Sequence, residues 1–206
     1  MESEWLTHIK RLQALAATGL TYPTGVYDRE RYEEIKAIAE QMLASLFAAP
    51  VGQIGELSPG TRAHPTPSLD VRGAVFDGER VLLVREGSTG RWTLPGGFAE
   101  IGLSAAENII KEVREEACLE VAVQRLYAVR HKAKGPFRPD VRDFYKFYFL
   151  CRPLGSSAPQ AGPEVTAAGY FALDALPELD TNRTCREDLE RALAFHRDPA
   201  LQPLID

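Results

Sequence analysis

The segment from Gly96 to Leu119 constrains this chain more than any other, because it joins a Pro-Gly-Gly turn to a marked helix start. Ser104 and Glu107 have the Ser-x-x-Glu spacing of a capping box, which predicts a helix over residues 104–117. At about 100° per residue, one stripe of this helix is apolar: Ala106, Ile109, Ile110, Val113 and Ala117. The fold must therefore bury that stripe and leave the rest of the helix facing outward.

Three carboxylates, Glu112, Glu115 and Glu116, lie next to the apolar stripe. Like charges at these spacings destabilise an exposed helix by ~0.2–0.5 kcal/mol per pair, and by more where the dielectric falls. A solvated acidic face is the simplest interpretation of a glutamate-rich helix. The preceding glycine turn and capping box favour a different one, in which a divalent cation such as Mg²⁺ neutralises the carboxylates and brings in substrate phosphates.

The chain has three regions, and the first is helical. Residues 1–47 are expected to form two helices, separated near Gly19 and Pro23, with Asp28 as the second N-cap. Their apolar stripes are predicted from helical spacing: Trp5, Ile9, Leu12 and Ala16, then Tyr32, Ile35, Ile38, Ala39, Met42, Leu43 and Leu46. Two short helices cannot enclose a core. We expect these stripes to dock on a second subunit rather than on the rest of the chain.

Residues 48–68 are rich in Pro, Gly, Ser and Thr, which predicts a linker. From residue 69 to residue 206 the pattern changes to strands mixed with helices. Asp77-Gly78 predicts a hairpin between two strand-like runs, and residues 185–196 predict a closing helix. The predicted fold class is α/β, an α/β/α sandwich whose mixed sheet is covered on both faces, with the two-helix extension in front.

Composition excludes several classes of protein. A formal net charge of −5 over 206 residues argues against general binding of nucleic acid. Three widely spaced cysteines do not indicate a disulfide framework or a zinc site, and they fit a reducing compartment. No apolar run approaches the ~20 residues of a membrane span, and the first residues do not resemble a signal peptide. We expect a cytoplasmic protein with no membrane partner.

The glutamate segment resembles the Nudix box, the signature of the Nudix hydrolases. The matching positions are a glycine, three glutamates and two aliphatic residues: Gly97, Glu112, Val113, Glu115, Glu116 and Leu119. The sequence departs from the box at three positions. Leu103 stands where the box has glutamate, Lys111 where it has arginine, and Cys118 where it has glycine. No Glu–Arg pair can form, and Cys118 is expected to strain the end of the helix.

The resemblance implies hydrolysis of a phosphoanhydride in a nucleoside diphosphate linked to a group X, with Mg²⁺ or Mn²⁺ as the cofactor. It implies that Glu112 and Glu116 bind the metal, with Glu115 supporting them or sharing a second ion. The Gly97 carbonyl is expected to complete the coordination. The general base is left open between these glutamates and Glu164, which lies in a loop where the family often supplies a carboxylate.

Basic side chains are candidates for substrate binding. Arg72 and Arg85 alternate with apolar residues on predicted strands and are candidates for bidentate phosphate contacts, whereas Arg91 is set aside. Lys132 lies in a basic run over residues 130–142, which is suited to a nucleotide or to a few phosphates of RNA. Such runs are more often simply solvated.

The N-terminal segment, residues 64–76 and residues 176–184 resemble a Nudix subgroup that acts on X-linked nucleoside diphosphates. That resemblance implies a homodimer formed through the extension. It places CDP-choline first and ADP-ribose second as the small-molecule substrate. Two alternatives stay open: an enzyme that processes RNA ends, and a nucleotide sensor without catalytic activity.

Overall fold

The structure, a computed structural model, describes residues 2–22, 25–57 and 65–206 and divides into two compact units. The N-terminal unit comprises Met1–Ser68 with Pro139–Phe144, and the sheet unit comprises Leu69–Arg138 with Tyr145–Asp206. The N-terminal unit contains three helices: α1 (Glu4–Thr21), α2 (Val26–Phe47) and α3 (Val51–Leu57). The two long helices confirm the prediction for residues 1–47.

Several local expectations for the N-terminal unit are wrong. Gly19 lies inside α1, where the Tyr32 ring packs against it. The N-cap of α2 is Gly25, so Asp28 lies within the first turn of that helix. The predicted linker contains α3, whose Ile54 is buried. Pro23 and residues 58–64 lie outside the described residues.

The buried faces of the two long helices are rotated from the predicted stripes. Leu6, Ile9, Ala39 and Leu43 form a buried cluster with Ile54. Five residues of the predicted stripes are exposed instead: Trp5, Leu12, Ile35, Ile38 and Leu46. The apolar residues of these helices therefore exceed what the core of the N-terminal unit covers.

The sheet unit contains seven strands and two helices within the described residues. The strands are β1 (Ser68–Asp77), β2 (Arg80–Glu86), β3 (Trp92–Thr93), β4 (Val121–His131), β5 (Phe144–Pro153), β6 (Val165–Phe171) and β7 (Leu204–Ile205). Their order is β3-β2-β1-β5-β4-β7, and β6 pairs with β2. Strand β7 runs parallel to β4, while β2 is antiparallel to β1, β3 and β6. The mixed sheet and the hairpin at Asp77-Gly78 are confirmed.

Each face of the sheet carries one helix. Helix α4 (Ala105–Ala117) buries Ile109 and Val113 in one cluster, and α5 (Arg186–Arg197) buries Leu189 and Phe195 in the other. The strands supply both clusters by period-2 alternation, as in β2, where Leu82 packs on the α4 side and neighbouring residues on the α5 side. The sandwich is thus confirmed, and α4 lies where the sequence predicts it.

No helix in the described ranges combines the length and apolar character needed to cross a membrane.

Candidate active site

A tight turn at Gly96 and Gly97 positions the candidate site. Gly96 has φ of +141°, and a Cβ there would clash with the Val71 carbonyl oxygen, so only glycine fits. The turn is held along β1, because the Val71 N–H donates to the Gly97 carbonyl at 2.8 Å and the Gly73 N–H donates to the Pro95 carbonyl at 2.9 Å. The backbone N–H of Gly96 is left to point toward α4.

The capping box that begins α4 is confirmed. The Glu107 N–H donates to Ser104 Oγ at 3.2 Å, and the Ser104 N–H donates to a Glu107 carboxylate oxygen at 2.8 Å. Because Ile109 and Val113 are fully buried against the sheet, the rotation of α4 about its axis is fixed. That rotation turns the neighbouring acidic stripe toward the glycine turn.

Glu116 and Glu112 both lie against the glycine turn. The Gly96 N–H donates to Glu116 Oε2 at 2.9 Å. A Cβ added to Gly97 would lie 2.8 Å from Glu112 Oε1. The missing side chain therefore leaves the space that the Glu112 carboxylate occupies, and two carboxylates converge on one piece of backbone.

The electrostatic surroundings disfavour charge on both carboxylates. Burial, with repulsion from Glu112 and Glu86, raises the pKa of Glu116 to about 7, although the Gly96 N–H and Arg72 act in the opposite direction. Burial also raises the pKa of Glu112, with a contribution from Glu115 and Glu164. These are the conditions in which a cation would bind most favourably.

Glu115 forms an ion pair with Lys111. Lys111 Nζ lies 2.7 Å from Glu115 Oε2 and 3.1 Å from Glu100 Oε1. Leu103, at the position where the box has glutamate, is 39% exposed. Leu103 and Lys111 do not supply the Glu–Arg pair of the box, but a Glu100–Lys111 pair joins the same loop to the helix.

Cys118 ends α4 in the left-handed conformation, with φ of +53° and ψ of +34°, and its N–H donates to the Arg114 carbonyl at 3.0 Å. The strained helix end expected from this departure is therefore observed. The thiol is exposed.

Arg72 lies behind the two carboxylates and is only 2% exposed. It donates from Nε and Nη2 to Asp70 at 3.0 and 2.7 Å, and from Nη1 to the Leu94 carbonyl at 3.2 Å. Each of its three donor nitrogens thus contacts a protein group, and the expected contact of Arg72 with a substrate phosphate stays a prediction. The charge of Arg72 lowers the pKa values of Glu112 and Glu116, against the larger effect of burial.

Asp70 and Lys146 complete this buried group. Lys146 Nζ donates to Asp70 Oδ1 at 2.7 Å, and its side chain is 1% exposed. Burial alone would raise the pKa of Asp70, but Arg72 and Lys146 outweigh it and lower the pKa to about 2. The Asp70 carboxylate therefore pairs with two buried cations, Arg72 and Lys146. The sequence analysis did not identify Asp70 or Lys146 as site residues.

The remaining predicted residues are scattered. Glu164 is exposed, yet its charge is close enough to raise the pKa of Glu112. Arg85 is exposed and donates from Nε to the Gly90 carbonyl at 2.8 Å. Lys132 is 4% exposed, and its expected contact with substrate stays a prediction. Of these three residues, only Glu164 joins the carboxylates.

Sequence analysis also missed Glu86, the last residue of β2. Its carboxylate is buried beside Arg183, with Arg183 Nη1 at 3.0 Å from Glu86 Oε1. The signal was present, because Leu82, Val84 and Glu86 alternate along β2 and the first two pack on the α4 side. The acidic group thus comprises five residues, called here the carboxylate cluster: Glu86, Glu112, Glu115, Glu116 and Glu164.

The oxygen atoms around the glycine turn fit a divalent cation. Among the described residues, no three acidic, histidine or cysteine side chains already converge as a metal cluster. The donors nearest the turn are Glu112, Glu116 and the Gly97 carbonyl, which has a second lone pair beyond the bond from Val71. An all-oxygen set of this kind, cradled where a Cβ is missing, fits Mg²⁺ or Mn²⁺.

Comparison with known proteins agrees with this geometry. Residues 3–57 match a family model described as a UDP-X-like, N-terminal oligomerisation domain, and residues 66–192 match the NUDIX domain. A putative ADP-ribose pyrophosphatase of Bacillus subtilis, YjhB, is 37% identical over 206 residues, which span 100% of this chain and 99% of that protein.

Two solved structures are similar as well. A UDP-X diphosphatase aligns with a TM-score of 0.63 and 33% identity over 100% of both chains. An ADP-ribose pyrophosphatase from Streptococcus suis aligns with a TM-score of 0.60 and 35% identity, over 68% of this chain and 100% of that one. With its glutamates gathered at the glycine turn and the NUDIX match covering more than half its length, this chain belongs to the Nudix hydrolase family.

Proposed function

We propose that this protein hydrolyses the phosphoanhydride of a nucleoside diphosphate linked to a second group, with Mg²⁺ or Mn²⁺ as cofactor. The products would be a nucleoside monophosphate and the phosphorylated second group. The observation that carries the proposal is the convergence of Glu112 and Glu116 on the Gly96-Gly97 turn. A diphosphate has no favourable contact with these carboxylates unless cations lie between them.

In this proposal Glu112, Glu116 and the Gly97 carbonyl hold the cation. When bound, the cation supplies Lewis-acid polarisation of a phosphoryl oxygen and activation of water. The Gly96 N–H orients the Glu116 carboxylate by a hydrogen bond. The positive charge of Arg72 offsets part of the repulsion between the Glu112 and Glu116 carboxylates.

Glu164 and Glu115 are the candidates for accepting the proton of the attacking water. Glu164 is exposed and electrostatically coupled to Glu112. Glu115 is already engaged by Lys111 at 2.7 Å. We therefore favour Glu164 as the general base, with Glu115 as a supporting residue.

The substrate class is proposed from the relatives. The Bacillus subtilis and Streptococcus suis proteins are named for ADP-ribose, and a third similar protein is named for UDP-linked substrates. These names move ADP-ribose ahead of CDP-choline, which the sequence resemblance placed first. Both stay in the proposal, since each is a nucleoside diphosphate esterified to a second group.

The test is turnover of a defined panel in Mg²⁺ or Mn²⁺: ADP-ribose, CDP-choline, UDP-sugars and a short capped RNA. Glu116→Gln removes a ligand charge at little change in volume, so it is expected to reduce turnover by orders of magnitude. Glu120→Gln changes an exposed glutamate just beyond α4 and serves as the matched control. Equal turnover by wild type and Glu116→Gln would overturn the proposed site.

The structure gives the alternatives no specific support. An RNA-end enzyme would use the basic run over residues 130–142, but Lys132 is buried and Arg130 is paired with Asp188 at 2.7 Å. A nucleotide sensor without catalytic activity would not need several carboxylates that repel one another at its binding site. Binding of a nucleotide without turnover of any panel member would favour the sensor.

We further propose that the N-terminal unit joins two copies of the chain into a homodimer. Trp5, Ile38 and Leu46 are 70%, 48% and 50% exposed, and they line a surface cavity of about 510 Å³. Contiguous exposed apolar surface of this kind marks an interaction site. The match of residues 3–57 to an oligomerisation domain supports the same assignment.

A further inference from the structure

Arg183 lies at the edge of the carboxylate cluster, where β2 ends. Its Nη1 is 3.0 Å from Glu86 Oε1, and its Nε is 3.7 Å from Asp180 Oδ2. The Glu86 side chain is 10% exposed and the Arg183 side chain 37%. The carboxylate is thus covered, while part of the guanidinium stays open to solvent.

The partner of Arg183 faces the proposed metal ligands. Glu86 continues the row of Leu82 and Val84, which pack with α4 in one buried cluster. Its charge also acts on Glu116, where it adds to the effect of burial in raising the pKa. Arg183 therefore forms an ion pair with a carboxylate of the site itself, although Glu86 Oε1 accepts no hydrogen bond from it.

The turn that carries Arg183 is firmly mounted on the sheet. The Asp180 N–H donates to the Trp92 carbonyl at 2.7 Å, and the N–H groups of Arg183 and Thr184 both donate to the Asp180 carbonyl at 2.9 Å. Thr184 Oγ1 also accepts from the Leu94 N–H at 3.1 Å. Since the backbone is fixed, the guanidinium can change partner by side-chain rotation alone.

Three other cations in the described part of the sheet unit are engaged by protein groups. Arg72 is buried with Asp70, Lys111 binds Glu100 and Glu115, and Arg85 donates to a carbonyl. A diphosphate that enters this acidic site adds negative charge, and a guanidinium matches phosphate oxygens as it matches a carboxylate.

We propose that Arg183 is a substrate-binding residue that contacts a phosphate of the diphosphate, and that Glu86 holds its guanidinium ready when no substrate is bound. The inference rests on the proposed function, because it takes the diphosphate as the ligand. It assigns a role to the 176–184 segment, which the sequence resemblance singled out without giving it one.

The test uses the full-length protein with Mn²⁺ and α,β-methylene-ADP, a diphosphate whose bridging carbon resists hydrolysis. Arg183→Gln is expected to weaken calorimetric binding of this probe by about 10- to 100-fold, the effect of losing a charged hydrogen bond. KM for ADP-ribose should rise by a similar factor, while binding of Mn²⁺ alone stays unchanged. Arg183→Lys keeps the positive charge but not the paired N–H donors of a guanidinium, so an intermediate loss of probe binding is expected.

Arg91→Gln is the matched control. Arg91 is 39% exposed and pairs with Glu178 at 2.9 Å, so it resembles Arg183 in exposure and pairing but not in its carboxylate partner. Its substitution is expected to leave binding of the probe unchanged. An equal loss in both variants would mean that general surface charge, and not Arg183, governs binding.

Glu86→Gln distinguishes phosphate binding by Arg183 from neutralisation of the Glu86 charge by Arg183. If Arg183 only neutralises Glu86, the double variant Glu86→Gln/Arg183→Gln regains wild-type binding, and the inference is overturned. If Arg183 binds phosphate, the double variant stays as weak as Arg183→Gln. If the wild type cleaves ADP-ribose and Arg183→Gln binds and cleaves equally well, this inference alone is overturned. If the wild type neither binds the probe nor cleaves ADP-ribose, the proposed function is overturned as well.

Discussion

Replacing Glu116 with glutamine is expected to stabilise the metal-free protein at neutral pH while removing its activity. Glu116 is 6% exposed, and burial together with neighbouring carboxylates raises its pKa from 4.5 to about 7. The folded chain therefore favours the neutral carboxyl group. Glutamine has nearly the same volume and no charge, and its amide oxygen can still accept the hydrogen bond from Gly96.

The change in the free energy of unfolding follows from the pKa of Glu116 in the unfolded chain, 4.5, and in the folded chain, about 7. Below pH 4.5 the carboxyl group is protonated in both the folded and the unfolded chain, so its ionisation changes nothing. Between pH 4.5 and about 7 the unfolded chain releases the proton first, so the wild type loses stability as the pH rises. At ~1.4 kcal/mol per pKa unit, the full loss above pH 7 is roughly 3 kcal/mol.

The assay is urea unfolding in EDTA at pH 5 and pH 8. The free energy of unfolding of Glu116→Gln should exceed that of wild type by roughly 3 kcal/mol at pH 8 and by much less at pH 5. Added Mn²⁺ should then stabilise the wild type, because it binds the folded state, and it should have little effect on the variant. Glu120→Gln should follow the wild type throughout. A wild type more stable than Glu116→Gln at pH 8 in EDTA would refute the reasoning.

Three further predictions concern stability and assembly. Asp70→Asn leaves Arg72 and its lysine neighbour buried without a counter-charge, so the free energy of unfolding should fall by about 3–5 kcal/mol in urea titrations; a loss below 1 kcal/mol would contradict the pairing. Cys118→Gly removes the strain of a left-handed non-glycine residue, but glycine also makes the unfolded chain more flexible. The net gain in the free energy of unfolding should be about 0.5–1 kcal/mol, seen as a higher thermal midpoint. A lower midpoint would argue against strain at Cys118. Ile38→Asp places a charge on the exposed apolar face and should shift the mass found by light scattering from dimer to monomer, whereas Leu154→Asp, also exposed but in the sheet unit, should not; a dimer that survives Ile38→Asp would place the interface elsewhere.

The local features of the site could be predicted from sequence because they depend on short-range spacing. The capping box at Ser104, the apolar stripe of α4 and the neighbouring glutamates all follow from one helical period. The left-handed end at Cys118 followed from the box position that normally holds glycine. Each of these features is determined within about four residues along the chain.

The missed residues depend on contacts that sequence spacing does not contain. Asp70 meets Lys146 across 76 positions, and Glu86 meets Arg183 across a turn seated on β3. Arg72 was predicted to contact phosphate, but its burial follows from the Asp70 partner and not from the pattern of its own strand. The error in the N-terminal stripes has another origin: helices with apolar residues on two sides have no single predicted face.

The Leu103 and Lys111 departures from the Nudix box are compensated within the same loop and helix. Asn108 Oδ1 accepts from the Glu100 N–H at 2.8 Å, and its Nδ2 donates to the Ser104 carbonyl at 3.0 Å. This holds the loop in a position from which Glu100 reaches Lys111 at 3.1 Å. The carboxylate–cation contact that Leu103 cannot make is therefore supplied from a neighbouring position. Because Lys111 also holds Glu115 aside, the two glutamates left at the glycine turn are those best placed to bind a cation.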